Sequence, residues 1–214
     1  MRSSLSRRQF FGLGTSLLVA ACGNRALARG PHDAPATAQV DDGDAAPSPV
    51  QQASCGGVTA DNIEGPFYKR GAPHRAVLAE RDMPGEPLVL LGSVRSTGCT
   101  PIAGAELDLW HANTAGDYDH AGFGLRGVLE TTRDGLWQVR TIVPGRYLNG
   151  RRYRPAHIHV KLRAPGHAPL TTQLYFAGDP YNAHDDFIVP SLIMRHTAKD
   201  GVRRAMFDFV LAAT

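Results

Sequence analysis

From Cys55 onward the chain reads as short stretches of alternating or apolar residues separated by turn formers. The clearest is Ala105-Glu106-Leu107-Asp108-Leu109-Trp110, where apolar and polar side chains take turns, the period-2 signature of a strand with one face on a core. Residues 88–94 form a second apolar stretch. Residues 127–132 and 136–143 flank Arg133-Asp134-Gly135, a three-residue loop with glycine that predicts a hairpin. Residues 156–162 and 170–176 follow, and 204–211 closes the chain with Phe207, Phe209 and Leu211 alternating. No stretch sustains a 3.6-residue period, and only short turns are expected near 192–197. The pattern predicts an all-β fold, a single-domain β-sandwich of about seven or eight strands with long loops, without internal repeats.

The first part of the chain follows other rules. Ser6-Arg7-Arg8-Gln9-Phe10-Phe11 resembles a twin-arginine export motif, and the apolar stretch over 10–21 is too short and too glycine-containing to cross a membrane. Two endings compete. Val19-Ala20-Ala21-Cys22 resembles a lipobox, which would leave Cys22 as a lipid anchor, whereas Ala26-Leu27-Ala28 is a small-x-small cleavage site. The expected organisation is a signal peptide over 1–28, a disordered linker rich in Ala, Pro, Asp, Gln and Ser over 29–54, and a folded domain over 55–214. The protein is therefore expected outside the cytoplasm, whether periplasmic, membrane-anchored or secreted.

With 43% hydrophobic and 20% charged residues the chain belongs with globular proteins. A net charge of +3 without a basic stripe excludes nucleic acid as the expected partner. Setting Cys22 apart with the export segment leaves Cys55 and Cys99 as an even pair, for which an oxidising compartment makes a disulfide the default.

The candidate chemistry centres on His157-Ile158-His159. On a strand, residues two apart share a face, so both imidazoles leave one side while Ile158, Val160 and Leu162 leave the other. Two nitrogen donors on a rigid strand can bind one metal ion, although such a pair by itself is more often structural. Asp108, Asp117, Asp119, Asp179 and Asp185 could complete a site, as could tyrosines. Tyr153 shares the parity of His157 but lies about 13 Å along the strand, too far for one ion. Tyr147 sits in a loop with Gly145, Asn149 and Gly150 that can double back. Tyr118 follows the strand ending at Trp110, in the kind of loop that usually carries function.

Read in order, Glu64-Gly65-Pro66-Phe67-Tyr68, Leu109-Trp110-His111-Ala112-Asn113 with Gly116-Asp117-Tyr118, Pro144-Gly145-Arg146-Tyr147, Arg154-Pro155-Ala156-His157-Ile158-His159 and Thr172-Gln173-Leu174-Tyr175-Phe176 resemble the intradiol ring-cleavage dioxygenases, over roughly residues 55–186. The resemblance implies a non-haem Fe(III) held by Tyr118, Tyr147, His157 and His159. Phenolate and imidazole donors without thiolate suit a hard ferric ion, and a trivalent cation favours the tyrosinate form. It also implies a catechol-type diol and O2 as substrates, and a cis,cis-muconate-type diacid as product. Tyr147 would be the ligand that yields to substrate and accepts its proton, Arg154 the cation that stabilises charge developing on the ring, and Gln173 a pocket residue. His111, His120, His167 and His184 are expected as non-ligands, and Asp185 and Asp186 as a solvated loop. The chain lacks the long N-terminal helical segment through which catechol 1,2-dioxygenases dimerise, so ring substituents and any oligomer do not carry over. The competing reading is a secreted β-sandwich binding module with a lapsed or non-iron metal site.

Overall fold

The computed structural model describes residues 55–214; the expected signal peptide, the lipobox and the linker lie outside them. The described chain builds two five-stranded sheets. The first has β1 (Pro87–Ser96) at its centre, antiparallel to β4 (Leu136–Ile142). Along its other edge β1 is parallel to β11 (Val202–Met206) and then to β12 (Phe209–Leu211), while β10 (His196–Lys199) pairs with β11. The second sheet runs β3 (Arg126–Glu130), β2 (Glu106–Trp110), β7 (His157–Arg163), β8 (Leu170–Phe176), β9 (Ile193–Met194). A small hairpin of β5 (Leu148–Asn149) and β6 (Arg152–Tyr153) stands apart. The short turn expected near 192 is a single 3-10 turn, Pro190–Leu192.

Between the sheets lies one apolar core. Leu107 and Leu109 of β2, Ile158, Val160 and Leu162 of β7, and Leu174 of β8 join Leu88, Leu90, Val94, Val139, Phe209 and Leu211. Each such side chain, fully buried, contributes about 1.5–3 kcal/mol of transfer free energy. The all-β sandwich expected from the alternation is therefore the fold found. The disulfide is found too, joining Cys55 to Cys99 with Cα atoms 5.3 Å apart.

Three local expectations change. The Arg133-Asp134-Gly135 loop does not close a hairpin, because β3 pairs with β2 in one sheet and β4 with β1 in the other. Gly135 lies against β1: its carbonyl accepts from the Val94 N–H at 2.8 Å, and an added Cβ would sit 2.7 Å from the Val94 carbonyl oxygen. A hairpin and a crossing between sheets ask for the same glycine. The closing strand is broken at Phe207-Asp208. There the Phe207 carbonyl fills the space beside Gly92, and the Asp208 carboxylate accepts from Ser93 N (2.8 Å) and Oγ (2.7 Å). Finally, β2 is buried on both faces, not one, since Asp108 and Trp110 are covered like Leu107 and Leu109. The cover is the segment over 59–68. Asn62 N donates to the Thr171 carbonyl (2.8 Å), Gln173 Nε2 to the Ile63 carbonyl (2.7 Å), and Tyr68 Oη to Asp108 (3.0 Å).

Candidate metal centre

His157 and His159 leave the outer face of β7, as strand parity requires, into the space under this cover. Cross-strand register sets their neighbours: Trp110 and Gln173 lie opposite His159, and Tyr175 lies opposite His157. The Trp110 indole stacks on the His159 imidazole with centroids 4.7 Å apart at 6°. Gly65 crosses the free edge of that imidazole at φ +71°, where a Cβ would stand 3.3 Å from His159 Cε1. A left-handed backbone and a close approach both favour glycine here.

Two loops bring in the tyrosines. Asn113 organises the first, its side-chain oxygen accepting from Ala115 N and Asp117 N at 2.9 Å each. Gly145 N donates to the Asn113 carbonyl at 2.8 Å and ties the second loop to the first. The loops touch backbone to backbone at two glycines. A Cβ on Gly145 would lie 2.3 Å from the Thr114 carbonyl oxygen, and one on Gly116 2.3 Å from that of Arg146. This contact carries Tyr118 and Tyr147 to one place, with ring centroids 5.9 Å apart at 80°.

All four predicted ligand residues converge. Tyr147 lies 5.7 Å from His157, Tyr118 lies 6.1 Å from His159, and His157 lies 4.9 Å from His159, centroid to centroid. Tyr118 Oη is 3.3 Å from His157 Nε2. Two donors on one first-row metal ion, each about 2 Å from it, lie about 3 Å apart. His157 Nδ1 donates to the Pro155 carbonyl at 2.7 Å, which fixes the tautomer and leaves the Nε2 lone pair facing Tyr118. Among the described residues no three His, Cys, Asp or Glu side chains gather into a metal-holding group. The carboxylate alternatives therefore fall away, and a metal on these histidines would need the phenols. Tyr153 stands half-exposed against Tyr181, away from the site.

Burial sets the electrostatics. It pushes His157 down to about 3, helped by the Arg154 charge, and holds His159 well below the usual range, helped by His157. Both rings are therefore neutral donors at physiological pH. Burial and the nearby Tyr147 raise Tyr118 well above the ordinary 10, so its phenol keeps its proton until a strong cation displaces it. His111, expected as a non-ligand, is buried with Nδ1 on the Ala112 carbonyl (2.8 Å) and Nε2 on Thr141 Oγ1 (2.7 Å).

Arg154 and Gln173 also reach the site, joined by Tyr175 and Asp185, to which the sequence gave no role beside Arg154. Arg154 Nη2 donates to Gln173 Oε1 (3.0 Å) and Tyr175 Oη (3.2 Å), and its Nε donates to Asp185 Oδ2 at 2.6 Å. Asp185 is thus not part of a solvated loop; its side chain is 1% exposed and that of Arg154 5%. Its neighbour Asp186 does face solvent. Nothing local separates Asp185 from Asp186, so only the folded chain could tell them apart. Trp110 and Tyr175 were visible in motifs, but their roles depend on cross-strand register.

A β-sandwich whose outer face gathers two neutral imidazoles and two phenols beside a buried arginine defines a class of potential metal-dependent enzymes. Comparison with known proteins makes this specific. The model of the dioxygenase family matches residues 63–213, and the chain belongs to the intradiol dioxygenases. It is 39% identical over 152 residues to the chlorocatechol 1,2-dioxygenase of Rhodococcus opacus, covering 59% of each protein. To the chlorocatechol 1,2-dioxygenase of Pseudomonas putida it is 37% identical over 177 residues, 72% of this chain and 68% of that one. The solved dioxygenase domain of a dioxygenase carbohydrate-binding protein fusion from Streptomyces sp. SirexAA-E superposes with a TM-score of 0.69 at 44% identity, over 74% of this chain and 100% of that one. The chain thus spans about three-fifths (59%) of the length of the Rhodococcus relative.

Proposed function

We propose that the protein is a non-haem Fe(III) intradiol dioxygenase that opens a catechol-type ring with O2 to a cis,cis-muconate-type diacid. The observation that carries this is the convergence of Tyr118, Tyr147, His157 and His159 from three separate segments, with Tyr118 Oη and His157 Nε2 at 3.3 Å. The donors fit a ferric ion: hard phenolate oxygens and neutral imidazoles without thiolate, with Tyr118 Oη and His157 Nε2 within hydrogen-bond distance of each other. When bound, ferric iron would supply Lewis-acid chemistry that withdraws electron density from the diol ring.

The chain's own residues do the rest. Tyr118 is 6% exposed and held by packing, with Phe67 stacked on it at 4.3 Å, which suits a permanent ligand. Tyr147 is only partly covered, on a loop bordering solvent, which suits a side chain that moves aside and takes a substrate proton at Oη. Arg154, aimed by Asp185, Gln173 and Tyr175, stabilises negative charge developing on the substrate. The Trp110 and Gly65 contacts keep the His159 ring in place and exclude water behind it. Cys55 and Cys99 suit the oxidising compartment that the twin-arginine motif implies, so we place the mature protein outside the cytoplasm. Whether it begins at a lipidated Cys22 or after Ala28 is read by mass spectrometry of its N-terminus.

The test is purification with iron analysis, visible absorption and oxygen uptake on catechol, protocatechuate, hydroxyquinol and chlorinated catechols. The expected result is about one iron per chain, a red-brown tyrosinate-to-iron charge-transfer colour, and diacid products from at least one diol. A colourless protein containing iron would refute the ligand set, and extradiol products would refute the reaction.

A further inference from the structure

We propose that Arg126 is a positioning residue for this centre, a buried cation held in no ion pair whose field strengthens the ferric ion's pull on substrate electrons; this rests on the iron reading above. Two buried arginines flank the four donors. Arg154, on the Tyr147 side, is matched by Asp185. Arg126, the first residue of β3, is not. It is 2% exposed, and among the described residues it forms none of the ion pairs. Its Nη2 donates to the carbonyl of Asp119, the residue after Tyr118, at 3.1 Å. Its Nε and Nη1 are buried and have no partner.

Asp119 and Asp108 act on Arg126 through space, but neither pairs with its guanidinium. The Asp119 carboxylate accepts from the backbone N–H groups of Ala121, Gly122 and Gly124, and Asp108 accepts from Tyr68 Oη. Burying a guanidinium unmatched is costly, and a fold retains it most readily where negative charge is to be placed nearby.

Register says where that charge would be. Arg126 lies opposite Trp110, and Trp110 opposite His159. Two strand spacings place the Arg126 backbone about 10 Å from that of His159, on the side from which Tyr118 arrives. The Arg126 guanidinium is tied to the Tyr118 loop through the carbonyl of the next residue, Asp119. A ferric ion, one phenolate and a doubly deprotonated diol sum to zero charge, and Arg154 with Asp185 adds none. Arg126 adds one positive charge beside that assembly, with the Asp119 and Asp108 carboxylates also in its neighbourhood. At about 10 Å in an effective dielectric of about 20, a unit charge shifts a one-electron equilibrium more than about tenfold. That shift favours electron density moving from the ring to the metal, the direction in which the diol becomes open to O2. A residue that only pinned the Tyr118 loop through the Asp119 carbonyl would leave this equilibrium unchanged.

The full chain reconstituted with iron is compared with Arg126→Met, Arg126→Gln and Arg126→Lys. We expect the neutral variants to keep iron, to show a more negative midpoint potential, and to react with O2 about 10- to 100-fold more slowly at saturating diol, with KM for the diol little changed. Arg126→Lys should restore both potential and rate. Neutral variants at the native potential overturn the proposal, as does a lysine variant that fails to restore it. If the neutral variants lose iron while Arg126→Lys keeps it at the native potential, the charge is supported. If all three lose iron, Arg126 is a loop anchor and the proposal fails. Parent protein without iron or ring cleavage instead refutes the functional reading, and is seen before any variant is made.

Discussion

Replacing Gly145 by alanine tests whether the site is assembled by the contact between its two loops. The new Cβ would meet the Thr114 carbonyl oxygen at 2.3 Å and Gly116 N at 2.6 Å. Non-bonded heavy atoms of this kind settle near 3.5 Å, so the loops must part by about 1 Å. Both neighbours are backbone and cannot rotate away as a side chain would. Gly145 is not among the residues with a left-handed backbone, so alanine is conformationally allowed and the effect is steric. Metal–ligand distances tolerate about 0.2 Å, several times less than the displacement passed to Tyr147 relative to Tyr118. The expected outcome is a stability loss of about 1–3 kcal/mol from overpacking and iron affinity down at least about tenfold. Iron per chain after dialysis against a chelator, the charge-transfer absorbance and the unfolding midpoint of the metal-free protein read these separately. Gly57→Ala, which meets nothing within 4 Å, is the control. Gly145→Ala with parental iron retention and colour would refute loop-to-loop assembly of the site.

Other perturbations follow from the same geometry. Asp185→Asn leaves the buried Arg154 charge unmatched and should cost about 3–5 kcal/mol in urea unfolding; a loss under about 1 kcal/mol would mean that water already reaches the pair. Burial holds His111 down to about 4 from the ordinary 6.5. The unfolded chain therefore takes the proton first, so this contribution is intact above pH 6.5 and lost as pH falls towards 4, in total about 3 kcal/mol. His111→Gln should flatten that part of the stability profile between pH 7.5 and 4.5, and an unchanged slope would contradict it. Reducing the Cys55–Cys99 disulfide, which spans 44 residues, should lower stability by about 4 kcal/mol on the chain-entropy account, seen as a lower unfolding midpoint with reductant.

Much of this protein was legible residue by residue. Alternation over 105–110 and 156–162 identified β2 and β7, and parity alone put His157 and His159 on one face with Ile158 and Val160 on the other. Motif order supplied Tyr118, Tyr147, Arg154 and Gln173, which the fold gathers. Less was legible where one local pattern serves two structures. The glycine at 135 suits a hairpin or a crossing between sheets, and the closing alternation over 204–211 gave no sign of its break at Phe207-Asp208.

What the sequence determined by itself is local: which residues are strands, which face each side chain takes, and which two cysteines are available to pair. A two-residue repeat is a property of the extended backbone and needs no partner. What only the tertiary structure decided is relational. The register setting Trp110 and Gln173 against His159, the glycine contact joining the tyrosine loops, and the choice of Asp185 over Asp186 to match Arg154 all depend on long-range packing. The same holds for the burial of Arg126 with two guanidinium nitrogens unpartnered, since whether a charge is buried, and what stands beside it, is defined only once distant segments have closed over it.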